Sequence, residues 1–302
     1  RRVARDIGIP YYVMNFRDEF KDKVIDYFVN EYVQARTPNP CIACNRYVKW
    51  ESLLERSMML GADYIATGHY ARIEKLENGR FALRMSKTSA KDQTYALYNL
   101  TQDQLSRTLM PVGDYEKDEI REIAKKFNLR VANKPDSQEI CFVSDNDYAS
   151  FVENEIGKKM PVGNFVTADG EILGKHKGIL HYTIGQRKGL GIALGHPIFV
   201  TEIRPETNEV VIGENEDVFG YSLEANNLNA MAVEKFFDGM RAVGKIRYSH
   251  KGEHCSIKVI GEDRIRIDFD KKVRAITPGQ AVVLYDESGL VLGGGTIIKR
   301  CD

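Results

Sequence analysis

Long hydrophobic runs are missing from this 302-residue sequence. No apolar stretch approaches the ~18 residues that a helical bilayer span requires, and no signal peptide is recognisable, so the expectation is a soluble chain with no membrane partner. An excess of one charge is missing too, since 43 Lys and Arg balance 43 Asp and Glu. Bulk electrostatics therefore announce no nucleic acid, and any RNA contact would rest on local basic patches. Cysteine is scarce, with five in all. An odd, sparse set excludes a disulfide framework and points to working thiols in a reducing compartment, with the cytoplasm as the expected location. Repeats and low-complexity tracts are absent. The length and the ordinary globular composition, 43% hydrophobic and 28% charged, suggest two or three domains.

The most telling stretch that is present is Thr37-Pro38-Asn39-Pro40-Cys41-Ile42-Ala43-Cys44-Asn45. Its two prolines lack backbone donors and hold their neighbours extended, which predicts a loop. Tyr47, Trp50, Leu54 and Met58 then follow at helical spacing, ending near Gly61. That spacing places Cys44 at the start of a helix, where free N–H groups and the macrodipole favour a thiolate. A second proline-interrupted polar loop, Lys134 to Phe142, closes on Cys141, 97 residues downstream of Cys44. The plainer reading stays open: Cys41 and Cys44 as a zinc or redox CxxC, with Cys141 a small core residue.

Arg1 to Pro10 reads as the back half of an amphipathic helix that opens without a cap, so the chain is expected to lack an N-terminal part. Apolar runs at Tyr11–Met14 and Asp63–Thr67 follow predicted helices, and this alternation argues for α/β architecture with a parallel sheet and ligands beyond the strand ends. Gly68-His69-Tyr70 occupies one such end. There a glycine can approach a nucleotide and a histidine a substrate, while a structural role for His69 is the competing reading. Phe81–Arg84 alternates as a strand. Lys91-Asp92-Gln93-Thr94-Tyr95 offers groups for a polar planar ligand, or else a solvated loop. Lys117–Phe127 is a predicted helix with Ile120, Ile123, Ala124 and Phe127 inward, and Leu129–Ala132 is extended.

From about Asp147 the pattern changes to a helix at Tyr148–Ile156 and a hairpin over Phe165–Leu173 marked by Asp-Gly. His181–Gly191 is a basic glycine loop able to approach phosphates, with a plain turn as the equal alternative. Beyond Glu214, strand-like segments recur at Met240–Tyr248, Cys255–Ile260, Arg264–Phe269, Ala281–Tyr285 and Thr296–Lys299. Turns are expected at Pro278-Gly279 and Gly293-Gly294-Gly295. Such a series predicts a C-terminal β-barrel.

Together these motifs resemble one family, the tRNA-specific 2-thiouridylases, which thiolate the wobble uridine of certain tRNAs. The likeness covers the whole chain and is carried by Thr37–Asn45, Gly61–Tyr70, Lys91–Tyr95, Asp136–Phe142, Gly185–Ile192, Arg247-Tyr248 and Pro278-Gly279-Gln280. It implies an incomplete PP-loop ATPase-like catalytic domain (1–146), a small mixed α/β tRNA-binding domain (147–213) and a C-terminal β-barrel (214–302). It implies a sulfurtransferase with Cys44 as nucleophile, Cys141 as persulfide carrier and Gly68 as an ATP contact. Asn39, Pro40 and Cys41 match the stretch that meets the target base, although Cys41 stands where other members carry aspartate. His69, Lys91, Asp92, Gln93, Arg247, Tyr248 and Gln280 match further tRNA contacts.

The resemblance also implies ATP with Mg2+, the anticodon region of tRNA, and a persulfide donor such as a cysteine desulfurase or sulfur-relay protein. The family's Ser-Gly-Gly-Val-Asp-Ser phosphate loop has no counterpart here, so an incomplete nucleotide site is expected. In the implied chemistry ATP adenylates the uridine oxygen, and Cys44 attacks the Cys141 persulfide to leave a disulfide as sulfur is released. No metal ligand set is expected. Two rivals remain: a non-catalytic zinc or redox module on Cys41-x-x-Cys44, and a small-molecule ATP-dependent ligase of the same superfamily.

Overall fold

The computed structural model describes residues 1–129, 140–143 and 147–302. Helix α1 (Arg2–Asp6) leads into a stretch in which Tyr11–Met14, expected as a strand, has no strand partner among the described residues, and Val13 is 80% exposed. Apolar content alone does not make a strand when no neighbouring backbone lies alongside. Two long helices follow, each with a wide-turn π segment in the middle. The first runs from α2 (Arg17–Phe20) through Lys21–Asp26 to α3 (Tyr27–Val33), and the second from α4 (Pro40–Ala43) through Cys44–Leu53 to α5 (Leu54–Met59). The apolar stripe faces inward as its spacing requires: Trp50 and Leu54 are buried, and the Trp50 indole N–H donates to Thr108 Oγ1 at 2.8 Å.

Strand β1 (Ile65–Ala66) lies parallel to β4 (Thr108–Leu109), and β2 (Ala71–Lys75) forms a hairpin with β3 (Phe81–Met85). Between β3 and β4, α6 (Gln102–Ser106) starts on a capping box of Thr101 and Gln104. Helix α7 (Lys117–Lys126) forms where expected but buries no residue, and Phe127, assigned inward, is exposed. Its inward stripe of two isoleucines and an alanine is too thin to seat the helix deeply. Leu129 is coil, while the rest of the Leu129–Ala132 segment and Lys134–Glu139 lie outside the described residues.

Helix α8 (Tyr148–Ile156) is capped by Asp147 and stopped by Gly157 in the left-handed region. It packs on α3: Phe28, Val29 and Tyr32 share one core with Ala149, Val152 and Val143. A four-stranded sheet follows, made of β5 (Gly163–Val166), β6 (Ile172–His176), β7 (Phe199–Arg204) and β8 (Glu209–Gly213) in the order β6-β5-β8-β7. The Asp-Gly hairpin is its β5–β6 pair.

The closed barrel comprises β9 (Phe219–Ala230), β10 (Arg241–Lys245), β11 (Glu253–Gly261), β12 (Arg264–Arg274), β13 (Ala281–Tyr285) and β14 (Val291–Arg300), ordered β10-β11-β12-β9-β14-β13. Ile265, Ile267 and Phe269 point into it. Gly293-Gly294-Gly295 is not a turn but lies inside β14, where a Cβ on Gly294 would meet Val282 O at 2.4 Å and the Tyr98 ring at 2.7 Å. The glycines admit a tyrosine from the helical part against the barrel wall.

The largest core is continuous from Ile42, Trp50 and Leu105 to the barrel interior. Each large apolar side chain buried there contributes about 1.5–3 kcal/mol. Polar bonds reinforce the junction, for the Arg80 guanidinium donates to the carbonyls of Met231 and Ala230, both at 2.8 Å.

Candidate active site

The loop before α4 is held from both ends. On one side, Thr37 N–H donates to Pro278 O at 2.8 Å and Gln280 Nε2 donates to Thr37 O at 2.9 Å. The Pro278-Gly279 turn thereby grips the loop, and Gly279, at φ +89°, comes so close that a Cβ would lie 2.9 Å from Thr37 N. On the other side Asn39 caps α4, its Oδ1 accepting from Cys41 N–H at 3.1 Å and Ile42 N–H at 3.4 Å. Pro40 is the first helical residue, a position that needs no N–H and suits its fixed φ.

Cys44 is therefore not at the start of the helix, as the sequence suggested, but a full turn inside it. The Asn39 side chain already satisfies the first free N–H groups. The electrostatic outcome changes accordingly: burial pushes the Cys44 thiol above its ordinary value, the Cys141 and Cys41 sulfurs push it further, and Lys49 opposes them. Burial likewise raises Cys41, with Cys141 adding to the effect and Lys49 again opposing it. Cys141 thus acts electrostatically on both Cys41 and Cys44, and none of the three is in a disulfide. Cys255 is a barrel-core thiol pushed up by burial to about 12.

Cys141 is steered by its neighbour. Phe142 lies 5.6 Å from Phe20, 5.3 Å from Phe28 and 5.3 Å from Phe151, ring centre to ring centre. The Ile140–Val143 turn is closed by Val143 N–H to Ile140 O at 3.1 Å. An aromatic cluster from both long-helix and α8 sides therefore fixes the exposed thiol.

Lys49, absent from the sequence reading, connects the parts. Its ammonium donates to Asn45 Oδ1 at 2.8 Å and stands 3.4 Å from His69 Nε2. Buried Asn45 in turn donates to Ala96 O at 2.9 Å. From within the same helix Lys49 also acts on the Cys44 thiol, lowering its pKa against the effect of burial.

His69 Nδ1 lies 2.9 Å from Thr67 Oγ1, and burial, with Lys49, lowers its pKa to about 4. It is a neutral ring at neutral pH, accepting from Lys49 at Nε2. Gly68 beside it is exposed at the end of β1, with open space where a Cβ would stand. Such an open backbone suits a nucleotide. Tyr70 and Gln93 bond reciprocally, Tyr70 N–H to Gln93 Oε1 and Gln93 N–H to Tyr70 O, each 2.9 Å, so the Gly68–Tyr70 and Lys91–Gln93 segments form one unit.

Asp92, expected as an RNA contact, is buried, with Oδ1 accepting from Ser86 N–H and Oδ2 from Thr94. Its carboxylate shapes the loop from within. Arg247 and Gln280 line one cavity with Thr37, and Tyr248 is half-exposed. Among the described residues no group of three or more His, Cys, Asp or Glu side chains is arranged to hold a metal ion. No helix among them is long and apolar enough to cross a membrane.

A helical part that carries the thiols, a small four-stranded sheet and a closed barrel define the class, and comparison with known proteins agrees. The family model described as tRNA methyl transferase HUP domain matches residues 1–145, its PRC-barrel domain 149–214, and the aminomethyltransferase beta-barrel domain 222–297. The chain is 68% identical over 299 residues to the tRNA-specific 2-thiouridylase MnmA of Lachnoclostridium phytofermentans, covering 99% of this chain and 84% of that one. It is 56% identical to that of Clostridioides difficile and 54% identical to that of Carboxydothermus hydrogenoformans, covering 99% of this chain and 83% and 82% of theirs. The chain belongs to the tRNA-specific 2-thiouridylase family.

Proposed function

We propose that this chain transfers sulfur to C2 of the wobble uridine of tRNA, in an ATP-dependent reaction carried by Cys44 and Cys141. What supports the reading is the loop gripped by the barrel through Thr37 and Gln280, which carries Cys41 and Cys44, with the exposed Cys141 near enough to raise both thiols. ATP supplies the activation that turns the C2 oxygen into a leaving group, and Gly68 offers it an open backbone. Mg2+ accompanies the triphosphate as its counter-ion.

Cys141 holds the outer sulfur as a persulfide. The Cys44 thiolate bonds to Cys141 Sγ, the S–S bond to the outer sulfur breaks, and that sulfur leaves with the electron pair for C2 while AMP departs with the oxygen. An external dithiol must then reduce the Cys44–Cys141 disulfide. Asn39 Nδ2, which has no protein partner among the described residues, is free to donate to the flipped base, flanked by Pro40 and Cys41. Neutral His69 and the Lys91–Gln93 unit, with Asp92 acting from within, border that base. Arg247, Tyr248 and Gln280 meet the RNA from the barrel. Residues 1–146 serve catalysis, while 147–213 and 214–302 hold RNA. A cytoplasmic persulfide protein, such as a cysteine desulfurase or relay protein, loads Cys141.

Labelled-sulfur transfer with mass spectrometry tests this. Cys141→Ser should accept no sulfur, and Cys44→Ser should load Cys141 yet release none to tRNA. Cys41→Ser should keep much of the activity. Persulfide on Cys44 with an active Cys141→Ser would reverse the two roles.

A further inference from the structure

The basic glycine loop and one arginine take no part in the chemistry above, yet they meet at a single place. A cavity of about 320 Å³ opens where the loop, the barrel and the start of the catalytic segment converge, and Thr37, Thr183, Ile184, Arg247, Arg274 and Gln280 line it. Two guanidiniums share this space with no Asp or Glu in its lining, and neither forms an ion pair with a carboxylate among the described residues. Arg247 Nη1 donates to the Arg274 carbonyl, and Arg274 Nη2 to Gly185 O at 3.2 Å. Gly185, at φ +86°, brings its backbone so close that a Cβ would stand 3.1 Å from Arg274 Nη1. The Arg274 guanidinium also lies over the Phe199 ring at 5.3 Å, which fixes its plane.

Neighbouring like charges that are half-buried and lack a counter-ion are costly unless an anion fills the gap. Burial and Arg274 together make the Arg247 charge harder to hold. Fork-shaped donors and threonine hydroxyls match phosphate oxygens in number and geometry.

We infer that Arg247 and Arg274, with Thr37 and the Thr183–Gly185 loop, form a seat for one backbone phosphodiester of the substrate RNA. Because Thr37 is also the residue gripped by Pro278 and Gln280, an occupied seat bears directly on the segment that presents Cys41 and Cys44. Arg274 is thus a positioning residue, and the inference rests on the tRNA reading above.

The test is binding of a tRNA anticodon stem-loop across a salt series. Arg274→Gln should weaken binding about tenfold at 0.1 M salt and lower the slope of log K against log salt by about 0.7, the value for one single-stranded phosphate contact. Stem-loops carrying one neutral methylphosphonate at a time should include a position that costs the wild-type chain about tenfold and Arg274→Gln nothing more. Arg274→Lys keeps the charge and loses the fork, so it should retain the slope with weaker binding, and it serves if the glutamine variant folds poorly. An unchanged slope in folded Arg274→Gln, or equal methylphosphonate costs in both chains, overturns the seat. So does competition by inorganic phosphate that is lost in Arg274→Gln without any change in RNA affinity. A wild-type chain that binds no stem-loop overturns the tRNA reading, and the seat with it.

Discussion

At the scale of single residues, His69 and Lys49 carry a signature that titration can read. A histidine whose pKa falls from 6.5 to about 4 on folding binds its proton in the unfolded chain first, so stability declines as pH drops through 6.5 and the loss stops growing below 4. Above 6.5 it contributes no slope. Buried His250, also lowered to about 4, acts in the same window. His69→Gln should therefore remove up to about 1.4 kcal/mol per pH unit from the slope of unfolding free energy between those values, measured by denaturant titration. Lys49→Met should move the His69 titration upward by NMR, and an unmoved resonance would deny the contact. The Cys41–Cys44 and Cys141 stretches stood out because proline-bounded thiol loops are rare, and their reactivity is what the labelled-sulfur experiment tests. Lys49 did not stand out, since its approach to His69 joins segments 20 residues apart that no residue pattern links, and Asp92 was read as a ligand contact because polarity in sequence does not reveal burial.

Among the elements, the helices were easier to read than the strands. Trp50 and Leu54 declared one helix, but its first residue was misjudged because Pro40 breaks a helix interior and also begins one well. Strand β9 escaped notice: three asparagines, one of them Asn227 at φ +50°, interrupt its alternation, and its register shifts against both neighbours. The triple glycine read as a turn because glycine in a strand is justified only by what presses on it, here the Tyr98 ring and the Val282 carbonyl. Gly294→Ala should consequently cost at least about 1–3 kcal/mol by overpacking, seen as a lower denaturation midpoint. A substitution that leaves the midpoint unchanged would mean that the barrel wall and Tyr98 are not in contact.

For the whole molecule, three segments of differing composition were legible, but not that the first and last share one core. Trp50, the chain's single tryptophan, reports on the helical part by its fluorescence, while the amide resonances of strands β9 to β14 report on the barrel. Their denaturation curves should coincide, and Arg80→Ala, which strips charged donors from two barrel carbonyls, should move both together by about 1.5–3 kcal/mol. Separate midpoints would show independent domains. The bond from Gln280 to Thr37 spans 243 residues of chain. At a ribosomal rate of about 5–20 residues per second, Thr37 waits roughly 12–50 s for its anchor to be synthesised. The loop that carries Cys41 and Cys44 thus gains its barrel anchor only after strands β9 to β12 have been translated, so its final form waits on most of the C-terminal part of the chain.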